Sequence, residues 1–154
     1  RRIDVESAQD MLEQCQTLAQ ECDIFIACAA VADYRPASAQ EQKIKKDATD
    51  MSLQLVRNPD ILATVAAADK APFTVGFAAE TDRVLEYARD KMLRKGLDMI
   101  VANDVSKGDI GFNSDQNAAT VLWEGGEQAL ATASKGTIAS QVIELVARRQ
   151  TGNV

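Results

Sequence analysis

Histidine is absent from all 154 residues. That removes Ser-His-Asp and Cys-His nucleophile pairs and every histidine metal site. Cysteine is scarce: Cys15, Cys22 and Cys28 form no CxxC pair. So sparse and odd a set fits a reducing cytoplasm better than a disulfide scaffold, and all three thiols read first as small buried hydrophobes. No apolar run approaches the roughly 18 residues of a membrane span, and no signal peptide is visible. Excess positive charge is missing as well. The net charge is −6, whereas a general nucleic-acid binder is normally basic. A polyanionic ligand must therefore meet a local cluster of cations. Neither a Walker P-loop nor a GxGxxG turn occurs.

What is present suits one domain, 1–154, with a real core: 46% hydrophobic and 26% charged residues. The chain opens without Met on Arg1-Arg2-Ile3-Asp4-Val5, which reads as the tail of a strand. The expectation is a domain lacking its first strand and first turn. Ser7 with Asp10 marks a helix start, followed by apolar positions at helical spacing from Met11 to Cys22. Asp23–Ala30 is a short apolar run suited to a strand buried on both faces. Residues 33–50 are polar and aperiodic, a long loop. A short strand over Leu53–Val56 precedes Asn58-Pro59, which predicts Asn58 as N-cap and Pro59 at the first helical position.

Phe73–Ala79 predicts a strand, with Thr81 or Asp82 capping a helix that Gly96 ends. Asp98–Ala102 is another strand, and Asn103–Asn117 a polar loop. Ala118–Leu130 reads as a hairpin around Gly125-Gly126 and suits an edge extension used in dimerisation. Ser134–Arg149 is an amphipathic helix with Ile138, Val142, Leu145 and Val146 on one face. Strands alternating with helices imply an α/β fold, Rossmann-like, with a mostly parallel sheet, helices on both faces and the late hairpin. Ligands in such folds sit beyond the carboxyl ends of the strands, here after Ala30, Ala79 and Ala102.

Several groups there are chemically suggestive. Lys43, Lys45 and Lys46 stand together in an acidic chain. Lysine ammoniums act as point charges for phosphate, although a solvated basic loop has the same composition. Lys91 and Lys95 share a helix face, where like charges repel unless an anion lies between them. Asn58-Pro59-Asp60-Ile61 offers backbone amides at a helix start. Phe77 stands among small residues Gly76, Ala78 and Ala79, which suits close approach of a ligand or plain core packing. Asp33 is the carboxylate of the first strand-end turn and suits either a ligand hydroxyl or amine or a turn cap.

In order along the chain, Ala29–Arg35, Lys43–Lys46, Asn58–Ile61, Gly76–Thr81, Lys91 to Lys95, Ala102–Ser106 and Gly111–Asp115 resemble the phosphopantothenate–cysteine ligase family. The resemblance implies a Rossmann-like, cytoplasmic homodimer, in bacteria usually fused to an FMN-dependent decarboxylase. It implies a reaction in which CTP and Mg²⁺ activate 4′-phosphopantothenate as an acyl-cytidylate. The amine of L-cysteine then attacks, giving 4′-phospho-N-pantothenoylcysteine, CMP and pyrophosphate.

By position, the resemblance assigns Ala27, Cys28, Ala29 and Asp33 to the nucleotide. Lys43 becomes the catalytic lysine of activation. Pro59, Asp60, Ile61, Leu62 and Phe77 frame the nucleotide, and Lys91 and Lys95 meet its phosphates. Ala30 and Asn103 fall toward the pantothenate moiety. No protein metal ligand is assigned, and neither nucleic acid nor membrane is an expected partner. The family also opens with a glycine-rich first turn bearing a functional asparagine. Nothing matching precedes Arg1, so weak turnover is expected of the 154 residues alone. Two other functions fit the fold class: a dinucleotide-dependent oxidoreductase, which leaves the lysines unexplained, and a non-catalytic partner of the decarboxylase. ATP in place of CTP stays open, because base choice depends on backbone geometry.

Overall fold

The computed structural model describes residues 1–38, 42, 51–104 and 115–152. Helix α1 (Ala8–Ala19) starts as expected, through a reciprocal capping box. The Asp10 amide donates to Ser7 Oγ (3.1 Å) and the Ser7 amide to Asp10 Oδ2 (3.0 Å). These bonds satisfy amides that a first helical turn leaves without an internal partner, and the Ser7 contacts lower the Asp10 pKa.

The main sheet has the order β1-β4-β5-β6-β7. Strands β1 (Ile24–Ala27), β4 (Phe73–Glu80) and β5 (Met99–Asp104) run parallel. Strands β6 (Gln116–Trp123) and β7 (Gly126–Ser134) continue it antiparallel. A separate two-stranded sheet pairs β2 (Tyr34–Pro36) with β3 (Leu55–Arg57). Helix α4 (Lys135–Gln150) covers one face, where Ile138, Val142, Leu145 and Val146 pack on Val75, Val101 and Val121. Helices α2 (Ile61–Ala66) and α3 (Val84–Lys95) cover the other, where Leu62, Ala88 and Met92 meet Ala78, Ile100 and Leu122. The Rossmann-like α/β class and the apolar face of the last helix are as the sequence led us to expect.

The late hairpin extends the main sheet at one edge, as expected, with β6 paired to β5, Val121 and Leu122 fully buried and β7 outermost. Three local expectations are corrected. The first strand is confined to Ile24–Ala27 and is not buried on both faces. Among the described residues it pairs with β4 alone, and Ile24 stays 37% exposed. Tyr34–Pro36, read as loop, is a strand whose side chains are all exposed, so it shows no burial period in sequence. Finally, two helices start elsewhere than expected. Asp60 caps α2, its side chain accepting from the Ala63 amide. At the start of α3, Arg83 stands in the left-handed region (φ 41°) with no side-chain cap. Its guanidinium bonds the Tyr87 hydroxyl at 2.9 Å instead.

Two contacts fix the sheet near the site. Buried Thr74 donates through both its amide (2.7 Å) and its hydroxyl (2.9 Å) to Asp98 Oδ2, locking β4 to the start of β5. Gly76 has no side chain where a Cβ would lie 2.8 Å from both Leu62 and Leu97 side-chain carbons.

Candidate functional site

β1 ends beside Gly76, while β4 continues along β5 to Glu80. From Phe77 onward, the edge of β4 is therefore not covered by β1. Half-buried Lys91, on α3, donates from Nζ to the Phe77 carbonyl there (2.9 Å). One turn on, Lys95 reaches the head of α2. Its ammonium lies 2.7 Å and 2.9 Å from the two Asp60 carboxylate oxygens. The same carboxylate caps α2, so a single side chain satisfies a helix amide and anchors a cation.

The electrostatics follow from this packing. Burial pushes the Lys91 pKa down and the Lys95 charge pushes the same way; Glu80 and Asp60 oppose them without restoring the ordinary value. For Asp60, partial burial works against ionisation. The Lys95 hydrogen bond, the Ala63 amide and the charges of Lys95 and Lys91 outweigh it, so its pKa is lowered. The result is two ammoniums facing one capped carboxylate on the α2–α3 side of the sheet, with Glu80 nearby.

The loop after β1 begins where the strand ends at Ala27, beside Gly76. Cys28, Ala29, Ala30 and Asp33 are exposed, whereas Ala27 ends the strand and packs toward the α2–α3 core. Asn58 holds this loop. Its amide donates to the Asp33 carbonyl (2.8 Å) and its Nδ2 to the Ala32 carbonyl (2.8 Å). Its Oδ1 accepts from Arg35 Nη1 (3.1 Å), which also donates to the Arg57 carbonyl (2.8 Å). Asn58 is thus not the N-cap. Its side chain is engaged backward with the β1 loop, leaving the cap to Asp60. The half-buried Pro59 links the two.

The remaining expected residues divide between the core and the two sheet faces. Ile61 and Leu62 are buried, and the Leu62 side chain occupies the space Gly76 leaves; a ligand at this helix start meets backbone, not these side chains. The small residue Gly76 therefore accommodates the protein's own core. Phe77 packs against the α4-side core, on the face opposite Lys91 and Lys95. Asn103 follows Met99 and Val101 on that same face by strand alternation, and its Oδ1 accepts from Asn117 Nδ2 (3.1 Å). Lys43, Lys45, Lys46 and the stretch Gly111–Ser114 lie outside the described residues. Missed by the sequence reading were Arg35, the backward engagement of Asn58, and Glu80. An Asp two residues after Asn58, three before a backbone amide of the helix, was a competing cap signal.

Residues 1–149 match the family model described as the DNA/pantothenate metabolism flavoprotein C-terminal domain. The coenzyme A biosynthesis bifunctional protein CoaBC of Vibrio cholerae is 53% identical over 148 residues, which covers 94% of this chain and 37% of that relative. The chain thus spans little more than a third of the curated relatives it matches, at 37 to 38% of their length. The crystal structure of the C-terminal domain of CoaBC shares the fold with a TM-score of 0.74 at 34% identity, over 94% of this chain and 63% of that one. A Cab2 mutant solved in complex with phosphopantothenate-cysteine gives a TM-score of 0.68 at 18% identity, over 97% of this chain and 52% of that one, a likeness of fold.

Proposed function

The chain belongs to the DNA/pantothenate metabolism flavoprotein C-terminal domain family, and from that membership we propose that it is the amide-forming domain of coenzyme A biosynthesis. On this reading it is a ligase that joins 4′-phosphopantothenate and L-cysteine through an acyl-cytidylate made from CTP. The observation that carries the reading is the Lys91–Lys95 pair on α3, held by the Phe77 carbonyl and the Asp60 carboxylate in an otherwise acidic chain. The same reading makes the protein a cytoplasmic homodimer. It assigns FMN chemistry to a fused decarboxylase domain.

Attack of a carboxylate on the α-phosphorus brings two anions together and releases a third, pyrophosphate. Fixed cations lower that barrier because they are already oriented when the charge develops. Lys91 is oriented by the Phe77 carbonyl, and Lys95 by Asp60. Asp60 holds Lys95 in place through the ion pair and so acts on the phosphates through that cation. Lys43 is assigned to activation on the family resemblance alone. Among the described residues no cluster of three or more His, Cys, Asp or Glu converges. On this reading Mg²⁺ would enter with the triphosphate and offset its charge. The amine step requires positioning more than a strong base, so the lack of histidine is no obstacle.

Calorimetric titration with CTP and with ATP, each with Mg²⁺, tests the reading. CTP should bind and be preferred. Lys91→Ala and Lys95→Ala should each weaken it about 10- to 100-fold, the scale of one charge-assisted hydrogen bond. Lys43→Ala in the intact bifunctional parent should block formation of the acyl-cytidylate. Binding of CTP indifferent to both α3 lysines would sink the assignment of the site.

A further inference from the structure

Within the proposed reading, we infer that Asn58 is a positioning residue for the nucleotide, acting through the loop that carries Asp33. The three-residue run Asn58-Pro59-Asp60 ties the loop after β1 to α3. Asn58 holds Ala32 and Asp33 by their carbonyls, and Asp60 holds Lys95 by its carboxylate. Pro59 between them has a fixed φ, so movement of one end is passed to the other. The loop after β1 has little else to fix it. From Cys28 to Asp33 every residue is exposed, and β1 stops at Ala27. Its path at Ala32 and Asp33 is set by the two Asn58 bonds.

Asn is the residue type this task needs. Its Nδ2 donates to a carbonyl while its Oδ1 accepts from a cation, and an amide does both in one plane. Asp would place an anion against the Ala32 carbonyl. Arg35 completes the arrangement: bonded to both Asn58 Oδ1 and the Arg57 carbonyl, it fixes which way the amide faces. The guanidinium therefore acts on Asn58, and Asn58 on the Asp33 loop. Neither residue need touch the ligand.

The test has two independent readouts on the full chain. Amide hydrogen exchange without nucleotide should rise across residues 28–35 in Asn58→Ala, with β5 and β6 unchanged; Arg35→Ala should raise it less. CTP binding should weaken about tenfold in Asn58→Ala, the scale of one lost orienting hydrogen bond, and about threefold in Arg35→Ala. In an Asp33→Ala background, Asn58→Ala should add less than about twofold, because the group it positions is gone. A purely structural residue would add its full loss in both backgrounds. Unchanged exchange over 28–35, or additive losses, overturns the inference. If the wild-type chain binds neither CTP nor ATP while exchange still rises in Asn58→Ala, the nucleotide reading is what fails: the hold on the loop stands and its role in binding falls.

Discussion

Lys91 and Asp60 titrate in opposite senses. Burial and the neighbouring Lys95 lower the Lys91 pKa from 10.5. Its cation therefore costs folding stability below its folded pKa, and that cost is relieved as pH rises through 10.5. A bound phosphate favours the charged form, so nucleotide affinity should fall in alkali before an ordinary lysine deprotonates. Lys91→Arg keeps its charge throughout, so its affinity, whatever its absolute value, should stay flat over the same range. Titrations with CTP between about pH 7 and about pH 10 decide this; parallel curves for the two proteins would remove Lys91 from the phosphate-binding set. For Asp60, burial acts against the charge, but Lys95 and the Ala63 amide prevail and the folded pKa lies below 3.8. Its contribution is present above the unfolded pKa and is lost as pH falls through the folded one. Asp60→Asn should therefore lose less stability than the wild type between about pH 5 and about pH 2, measured by urea denaturation.

Packing of β4 against α2 turns on a missing side chain. A Cβ on Gly76 would meet Leu62 and Leu97 at 2.8 Å, and both leucines are buried. Gly76→Ala should then destabilise by about 1–3 kcal/mol, the usual cost of overpacking a filled core. It should also weaken CTP binding, because Leu62 sits two residues from Asp60 and displacing it moves the head of α2. A stability within error of the wild type in chemical denaturation would show that the leucines yield freely. The same element shows what was legible in sequence. The strands Phe73–Ala79 and Asp98–Ala102 announce themselves as apolar runs because both sheet faces are covered, and the last helix through the period of its one buried face. Gly76 does not, since a glycine that admits a ligand and one that admits a leucine are the same letter. β2 escaped notice because all its side chains are exposed. The site was legible as charge, in Lys91 and Lys95, but not as connection. Asn58 bonds residues more than twenty positions earlier, and no local spacing encodes that. By position along the chain Phe77 was placed with the nucleotide and Asn103 with the pantothenate moiety, while strand alternation sets both on the face opposite Lys91 and Lys95.

At the scale of the whole molecule, stability and function occupy different parts of the fold. The sheet is buried through β4, β5 and β6, with Val75, Met99, Ile100, Val121 and Leu122 fully enclosed. On its α4 side, Arg149 stacks 4.0 Å from the centre of the Trp123 ring and ties the last helix to β6. The site elements lie at the margin: an edge strand, its exposed loop and a two-stranded sheet separate from the main one. Amide exchange should therefore be slowest in β4 and β5 and fastest in β2, β3 and the loop after β1, since protection follows burial and local contact density. The net charge of −6 adds a long-range element, because a triphosphate approaching an acidic surface is drawn in at short range by local cations such as the α3 lysines. Ligand binding should accordingly change the margin and leave the centre as it is. Saturating CTP should slow exchange over residues 28–35 and 55–62 by the factor its occupancy allows, with β5 and β6 unaltered. Uniform slowing across the sheet would instead mean that the nucleotide stabilises the fold globally without seating between the β1 loop and α3.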